Sequence, residues 1–294
     1  MDFGRLVTAM VTPFDNQLQI DWDQTGRLID YLIEEQQSDG IVVAGTTGES
    51  PTLTEEEKLE LFRFAVKHIN GRAAVIAGTG SNDTAHSLHL SKEAEKLGVD
   101  GIMLVAPYYN RPSQEGLYAH FSTIAKQVDV PILIYNIPSR TGVNILPDTI
   151  LKLAELPSVV AVKESSGDLD QMTEIISRAP EGFRLYSGDD NFTLPVMAIG
   201  GYGIVSVTGH VIGREMKQMI HAFLNGDTVT AAKLHGKLLP VYKGMFFCPH
   251  RVPNPVPVKY AMKLKGMDCG GVRLPLVDAT EQEAAFIANL MKAY

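Results

Sequence analysis

Eight short apolar runs, each followed by a stretch with helical periodicity, constrain the fold of this 294-residue chain more than any other feature. The runs are rich in β-branched residues and are bounded by Gly, Pro, Asn or Asp. This pattern is typical of strands buried on both faces of a parallel sheet. The predicted strands cover residues 6–11, 40–44, 73–77, 101–105, 131–135, 159–163, 184–187 and 203–207.

The stretches between these strands predict helices. Thr54 and Glu57 have the spacing of a capping box at the start of the second one. Eight strand–helix pairs predict an α/β fold of the (β/α)8 TIM-barrel type. A doubly wound open sheet is the alternative, but no glycine-rich nucleotide-binding loop follows the first strand. The predicted helices cover residues 21–37, 54–69, 82–97, 113–128, 147–156, 168–179, 191–199 and 212–224.

The barrel pattern ends near Leu224, and three further helices are predicted at 227–239, 257–265 and 280–292. The proline-rich segment CPHRVPNPVPVK between the first two must be extended or turning. We therefore predict a catalytic barrel domain over residues 1–224 and a helical domain over residues 225–294.

Composition excludes several classes of protein. Hydrophobic residues make up 45% and charged residues 20%, which predicts a globular chain and not a disordered one. The net charge of −8, without a basic block, argues against a nucleic-acid or anionic-membrane partner. The N-terminal segment does not resemble a signal peptide, no apolar run is long enough to span a bilayer, and Cys248 and Cys269 match no metal-ligand spacing. We expect a cytoplasmic protein with reduced thiols.

The carboxyl ends of the barrel strands are where a catalytic site is expected. Lys163 ends the apolar run VVAVK, so burial should lower its pKa and free its amine to form a Schiff base with a carbonyl. Tyr135 ends the preceding strand and could transfer protons beside that imine. The alternatives are a lysine paired with Glu164 and an ordinary core tyrosine.

Two loops carry groups suited to an anion. In GTTGES, Gly45 and Gly48 allow a tight turn with exposed amides around Thr46 and Thr47, which suits a carboxylate. Arg140 offers a guanidinium to a second carboxylate. The alternatives are a simple turn before a helix and a solvated arginine. No metal site and no cofactor are expected, since no HExxH or similar motif is present. Together, the lysine, the tyrosine, the threonine loop and the arginine predict carbanion chemistry on a 2-oxo acid.

The motifs GTTGES, PYYNRPSQEG, YNIPSRTG, VAVKESSGD and YSGDD occur in this order. With LVTAMVTPF near the start and NPVPVKYAMKLKG near the end, the chain resembles the dihydrodipicolinate synthase family over nearly its whole length. The resemblance implies a lyase that condenses pyruvate with L-aspartate 4-semialdehyde to give 4-hydroxy-tetrahydrodipicolinate. That reaction is the first committed step toward diaminopimelate and lysine.

The resemblance also implies roles for individual residues. Lys163 matches the lysine that forms the pyruvate Schiff base, and Tyr135, Thr46 and Tyr109 match a proton-relay triad. Tyr109 would come from a neighbouring subunit, so a homo-oligomer is expected. The family is often a tetramer made of two dimers.

Four more positions match substrate-binding residues. Thr47 would hold the pyruvate carboxylate, and Arg140 would hold the carboxylate of the semialdehyde. Gly188 and Val205 match positions whose backbone carbonyls face the site.

Two other functions remain open on the residues alone. Sugar-acid aldolases, such as N-acetylneuraminate lyase or 2-keto-3-deoxygluconate aldolase, share the lysine and the tyrosine. Arg140 and the Tyr108–Tyr109 pair favour the synthase, because arginine suits an acceptor that carries a carboxylate. A barrel that binds a 2-oxo acid without turnover is the third possibility.

Regulation by lysine is a further implication of the resemblance. Feedback-inhibited bacterial members typically carry a histidine at the position of Glu55 and a glutamate at that of His86. Here Lys58 would repel a cationic effector and His86 removes an anchor, so weak or absent inhibition is expected. The matching positions are Ser50, Pro51, Glu55, Lys58, Asn82, His86 and Tyr108.

Overall fold

The computed structural model describes residues 2–294 and contains a closed barrel of eight parallel strands. Consecutive strands pair with one another, and the last pairs with the first through Val7 and Val205. The predicted TIM barrel is therefore confirmed, and the open sheet is not formed. The strands are β1 (Leu6–Ala9), β2 (Gly40–Val43), β3 (Ala74–Gly78), β4 (Gly101–Val105), β5 (Ile132–Asn136), β6 (Val159–Glu164), β7 (Arg184–Ser187) and β8 (Gly203–Ser206).

Helices follow the strands and cover the outside of the barrel. Thr54 and Glu57 form the predicted capping box, in which each side chain accepts a hydrogen bond from the other residue's backbone. The helices are α1 (Trp22–Asp30), α2 (Glu55–Ile69), α3 (Thr84–Lys96), α4 (Gln114–Ala125), α5 (Pro138–Thr141), α6 (Pro147–Ala154), α7 (Leu169–Arg178), α8 (Thr193–Ala198) and α9 (Gly209–Leu224).

Several elements differ from their predicted bounds by a few residues, such as β1, which ends at Ala9, and α9, which begins at Gly209, and two helical segments differ in kind. The first predicted helix changes type, because α1 runs directly into a π-helical segment at Tyr31–Glu35. Apolar spacing cannot distinguish an α-helical turn from the slightly wider π-helical turn. The short helix α5 was not predicted either, since a single turn carries no periodic pattern.

Three helices complete the chain: α10 (Thr228–Gly244), α11 (Val256–Leu264) and α12 (Glu281–Met291). The prediction that the first of them ends at 239 is wrong, because α10 continues through Pro240. Proline removes one backbone donor, which normally ends or kinks a helix. Here Leu238, Val241 and Tyr242 are buried on both sides of the proline, so packing keeps the helix intact.

The predicted domain boundary coincides with the end of α9 at Leu224. Beyond it, Leu238, Val258 and Ile287 pack in the same hydrophobic cluster as the side chains between the strands and their helices. The division into two domains stays a prediction. None of the helices in residues 2–294 is long and apolar enough to cross a membrane.

A second, smaller cluster fills the inside of the barrel. It includes Leu133, Tyr135, Ala161 and Val205, which alternate along their strands with side chains that face the outer helices. Lys163 lies two residues after Ala161 on β6, so it also points inward. Strand periodicity thus directs both Tyr135 and Lys163 into the barrel.

Candidate active site

Lys163 and Tyr135 lie side by side inside the barrel. The register of β5 and β6 pairs these two residues directly. The Nζ atom of Lys163 lies 4.1 Å from the centroid of the Tyr135 ring, and each residue is only 4% exposed. The structure therefore places the predicted nucleophile next to the predicted proton donor.

Burial makes the Lys163 amine unusually easy to deprotonate. It lowers the pKa of Lys163 to about 8, although the carboxylates of Asp189 and Asp190 act in the opposite direction. The positive charge of Arg140 lowers this pKa further. With a pKa of about 8, roughly a tenth of the amine is neutral at pH 7, far more than for an ordinary lysine. A neutral amine is the form that attacks a carbonyl.

Burial has the opposite effect on the pKa of the neighbouring Tyr135. The charged form of a phenol is the deprotonated one, and burial disfavours the charged form. It raises the pKa of Tyr135 well above the ordinary value, while Arg140 and the hydroxyls of Ser165 and Thr46 act against the rise. Tyr135 is thus protonated at neutral pH and can donate its proton. The hydroxyls of Thr46 and Ser165 both act on the Tyr135 phenol, so either could pass a proton on.

Gly188 has no side chain, and this makes room for the side chain of Lys163. It follows β7, and its amide donates a hydrogen bond of 2.8 Å to the Glu164 carbonyl. A Cβ atom at this position would overlap Ser165 Oγ and would lie 2.9 Å from Cε of Lys163. Only glycine therefore allows the chain after β7 to pass so close to the lysine side chain.

The GTTGES loop at the end of β2 is tightly folded. The amides of Gly48 and Ser50 both donate to the Gly45 carbonyl, at 3.1 and 3.2 Å. The Gly48 amide is therefore used within the turn. Within residues 2–294, the amides of Thr46 and Thr47 have no acceptor. These two free donors, next to two threonine hydroxyls, can bind a carboxylate.

Three residues near the C-terminus form hydrogen bonds with this loop. The sequence analysis did not predict these contacts. Asn254 Nδ2 donates a hydrogen bond of 2.8 Å to Thr47 Oγ1. Lys259 Nζ lies 2.9 Å from Glu49 Oε1, and the amide of Arg273 donates to Glu49 Oε2 at 2.9 Å. The available signal was the motif NPVPVK, which contributes to the family resemblance but has no local pattern of its own.

A cavity of about 520 Å³ opens at this end of the barrel. Tyr135, Thr46 and Arg140 line it, with Arg140 exposed on α5 at its mouth. Val205 is fully buried inside the barrel. The cavity also reaches the positions considered for regulation, which include Ser50, Pro51, Lys58, Asn82, His86 and Tyr108.

Tyr109 lies apart from the other predicted catalytic residues. It is 90% exposed, has a backbone φ of +73°, and does not belong to the lining of the cavity within the described chain. Positive φ is strained for a bulky residue, and such strain is often found at functional sites. The single chain therefore does not bring Tyr109 to Tyr135 and Thr46.

The regulatory positions form a charged cluster. Glu55 lies between two histidines, 3.4 Å from His86 Nδ1 and 3.0 Å from His89 Nε2. Burial lowers the pKa of the neighbouring Lys58, while Glu55 acts against that change. The one carboxylate of this cluster is thus already in contact with two imidazoles.

Comparisons with known proteins identify the family of this chain. The sequence pattern of the Dihydrodipicolinate synthetase family matches residues 2–294. A 4-hydroxy-tetrahydrodipicolinate synthase from Moorella thermoacetica is 57% identical over 292 residues, which cover 99% of this chain and 98% of the relative.

Two solved structures are also similar. A dihydrodipicolinate synthase from Bacillus anthracis is 50% identical, with a TM-score of 0.97 over 100% of this chain and 99% of the other. One from Cyanidioschyzon merolae, with lysine bound, is 43% identical, with a TM-score of 0.95 over 99% and 98% of the two chains. The predicted family and enzyme class are confirmed: the chain belongs to the dihydrodipicolinate synthetase family.

Proposed function

We propose that this chain condenses pyruvate with L-aspartate 4-semialdehyde through an imine on Lys163, giving 4-hydroxy-tetrahydrodipicolinate. The observation that carries the proposal is the buried Lys163–Tyr135 pair, in which a lysine with a pKa of about 8 lies against a protonated phenol. The name shared by the curated relatives supports the same reaction. The sugar-acid aldolases are not favoured by these relatives.

The first stage joins pyruvate to the enzyme. The neutral amine of Lys163 attacks the C2 carbonyl of pyruvate, and Tyr135 protonates the oxygen as it leaves as water. The free amides of Thr46 and Thr47, with the Thr47 hydroxyl, bind the carboxylate of pyruvate. The positive imine then withdraws electrons, so the deprotonated Tyr135 can take a proton from the methyl group of pyruvate, and the imine becomes an enamine.

The second stage uses the semialdehyde. The enamine carbon attacks the aldehyde carbon, and Tyr135 returns a proton to the new alkoxide. Arg140 at the cavity mouth binds the carboxylate of the semialdehyde. The amine of that substrate then displaces Lys163 from the imine and closes the ring, which regenerates the enzyme. Gly188 and Val205 present backbone carbonyls to the reacting groups.

A second subunit completes the proton relay in this proposal. Tyr109 is exposed and strained in the single chain, which suits a residue that contacts a partner. We propose that it enters the neighbouring subunit's site, where it joins Tyr135 and Thr46. A tetramer of two such dimers and a cytoplasmic location stay predictions.

The synthase activity is tested by pyruvate consumption with and without L-aspartate 4-semialdehyde. We expect consumption that requires the semialdehyde and disappears in Lys163→Ala. Lys126→Ala is the matched control, because Lys126 is exposed at the end of α4. Consumption with other aldehydes but not with the semialdehyde would support a sugar-acid aldolase. No imine with pyruvate in a folded preparation would contradict the catalytic role of Lys163.

A further inference from the structure

The contact between Asn254 and Thr47 joins the carboxylate-binding loop to the C-terminal part of the chain. Asn254 precedes α11, and it is 6% exposed, while Thr47 is 2% exposed. The Nδ2 to Oγ1 distance of 2.8 Å is that of a good hydrogen bond. The two residues are 207 positions apart, so the contact exists only in the complete fold.

The direction of this hydrogen bond determines what the Thr47 hydroxyl can do. An amide NH2 group only donates, so Thr47 Oγ1 accepts from Asn254. The one proton of the hydroxyl is then not used in this contact. No acceptor within residues 2–294 takes that proton. It is therefore available to a ligand in the loop.

The opposite orientation of the Asn254 amide would be less favourable. Its Oδ1 atom is buried and has no hydrogen-bond partner. Rotating the amide would let Oδ1 accept the Thr47 proton, but it would leave a buried NH2 group without an acceptor. Orphaned buried N–H groups are rarer than unsatisfied carbonyl oxygens. The observed orientation of the Asn254 amide thus leaves the proton of the Thr47 hydroxyl free to bind a ligand.

We propose that Asn254 is a positioning residue for pyruvate: it donates to Thr47 so that the Thr47 hydroxyl donates to the carboxylate of pyruvate. This inference rests on the proposed function, which places that carboxylate at Thr46 and Thr47. Asn254 itself does not touch the substrate in this arrangement. Its effect on pyruvate binding passes entirely through the Thr47 hydroxyl.

The test is a near-isosteric substitution that reverses the hydrogen bond. In Asn254→Asp, an ionised carboxylate can only accept, so it takes the Thr47 proton and leaves lone pairs facing the ligand. Pyruvate binding is read from borohydride trapping on Lys163, which does not require the semialdehyde. At about pH 8, where a buried carboxyl with a raised pKa is still largely ionised, half-maximal trapping should need about tenfold more pyruvate or higher.

Three further substitutions, alone or combined with Asn254→Asp, separate positioning from a purely structural role. Asn254→Ala keeps the hydroxyl proton but loses its orientation, so the expected rise is smaller, about threefold. In a Thr47→Val background, either change at Asn254 should have less than about a twofold effect, since the coupling runs through the hydroxyl. Asn225→Asp, at an exposed position after α9, is the matched control and should change nothing.

When pyruvate is saturating, the kcat of Asn254→Asp and its KM for the semialdehyde should stay close to the wild-type values. The proposal is overturned if Asn254→Asp traps pyruvate like the wild type, or if its effect is equally large in the Thr47→Val background. If Asn254→Asp does not fold, Asn254→Ala with Thr47→Val provides the same coupling test. If the wild type traps pyruvate but does not use the semialdehyde, the proposed acceptor is wrong and the positioning role still stands.

Discussion

The ammonium group of Lys259 on α11 forms a buried ion pair with Glu49, the acidic residue of the GTTGES loop. Lys259 Nζ lies 2.9 Å from Glu49 Oε1, and the side chains of Lys259 and Glu49 are 4% and 1% exposed. Lys259 also donates to the Gly271 carbonyl at 2.6 Å and lies over the ring of Phe14. Glu49 has a left-handed backbone, with a φ of +58°. The pair therefore fixes a strained residue within the loop that is proposed to bind pyruvate.

Removing one partner of this pair should destabilise the protein strongly. We expect Lys259→Met to lower the free energy of unfolding by about 3–5 kcal/mol, because Glu49 is then a buried, unpaired charge. The double variant with Glu49→Gln should recover part of the loss. Lys263→Met is the control, since its pair with Asp268 is exposed and contributes less than about 1 kcal/mol. Urea unfolding measures all three; equal losses at Lys259 and Lys263 would contradict the prediction.

Imine formation should depend on pH through the neutral fraction of Lys163. The rate of borohydride trapping with pyruvate should rise with pH up to about 8 and then level off, because burial lowers the pKa of Lys163 to about 8. The carboxylate of Asp189 raises this pKa and Arg140 lowers it. Asp189→Asn should therefore move the midpoint to lower pH, and Arg140→Gln should move it to higher pH. Shifts in the same direction would show that these charges do not control Lys163.

A methyl group at Gly188 should disable the lysine without unfolding the barrel. In Gly188→Ala the new Cβ overlaps Ser165 Oγ and crowds Cε of Lys163, so the amine cannot keep its place. We expect trapping with pyruvate to fall by about 100-fold or more, as for other misplaced reacting groups. Gly236→Ala is the matched control: apart from its own turns of α10, no atom lies within 4 Å of its Cβ position. That change should add about 0.5–1 kcal/mol of stability. Near-normal trapping in Gly188→Ala would rule out the proposed crowding.

Subunit mixing tests the role of Tyr109 directly. Tyr109→Phe and Lys163→Ala should each be nearly inactive alone. In a mixed dimer, one site combines the intact Lys163 of one subunit with the intact Tyr109 of the other. Random equimolar mixing gives half mixed dimers with one good site each, so about a quarter of wild-type activity should return. No recovery, with mixed dimers demonstrated by mass, would place Tyr109 in the site of its own chain.

Inhibition by L-lysine should be weak or absent. Glu55 already contacts His86 and His89, and the nearby Lys58 repels a second ammonium group. We expect about 1 mM lysine, an affinity of about 4 kcal/mol, to leave turnover nearly unchanged. The double variant Glu55→His, His86→Glu restores the charge arrangement typical of inhibited relatives and should become more sensitive. Strong inhibition of the wild type would refute this prediction.

Much of the barrel could be predicted from the sequence because its pattern is local. Buried parallel strands appear as short apolar runs, and the predicted β4 and β7 have the observed bounds. The positions of Lys163 and Tyr135 at the ends of consecutive strands made their contact predictable as well. The sequence pattern gave the wrong end for α10, because packing keeps this helix intact through Pro240.

The remaining parts of the site depend on distant contacts. Asn254 and Lys259 contact residues 207 and 210 positions earlier in the chain, and no local pattern encodes such a pairing. Tyr109 raises a different difficulty, because its proposed place depends on a second chain. The family motifs identified Tyr109, but they did not single out Asn254 and Lys259 or show what these two residues hold in place.

The long separation between the GTTGES loop and its C-terminal contacts has a consequence for synthesis of the protein. Lys163 and the strands around it leave the ribosome well before Asn254, Lys259 and Arg273 do. Until then Thr47 lacks its hydrogen-bond donor and Glu49 lacks both of its partners. A nascent or prematurely terminated chain thus carries the reactive amine with an unfinished substrate loop, and the last part of the chain to be translated completes the enzyme.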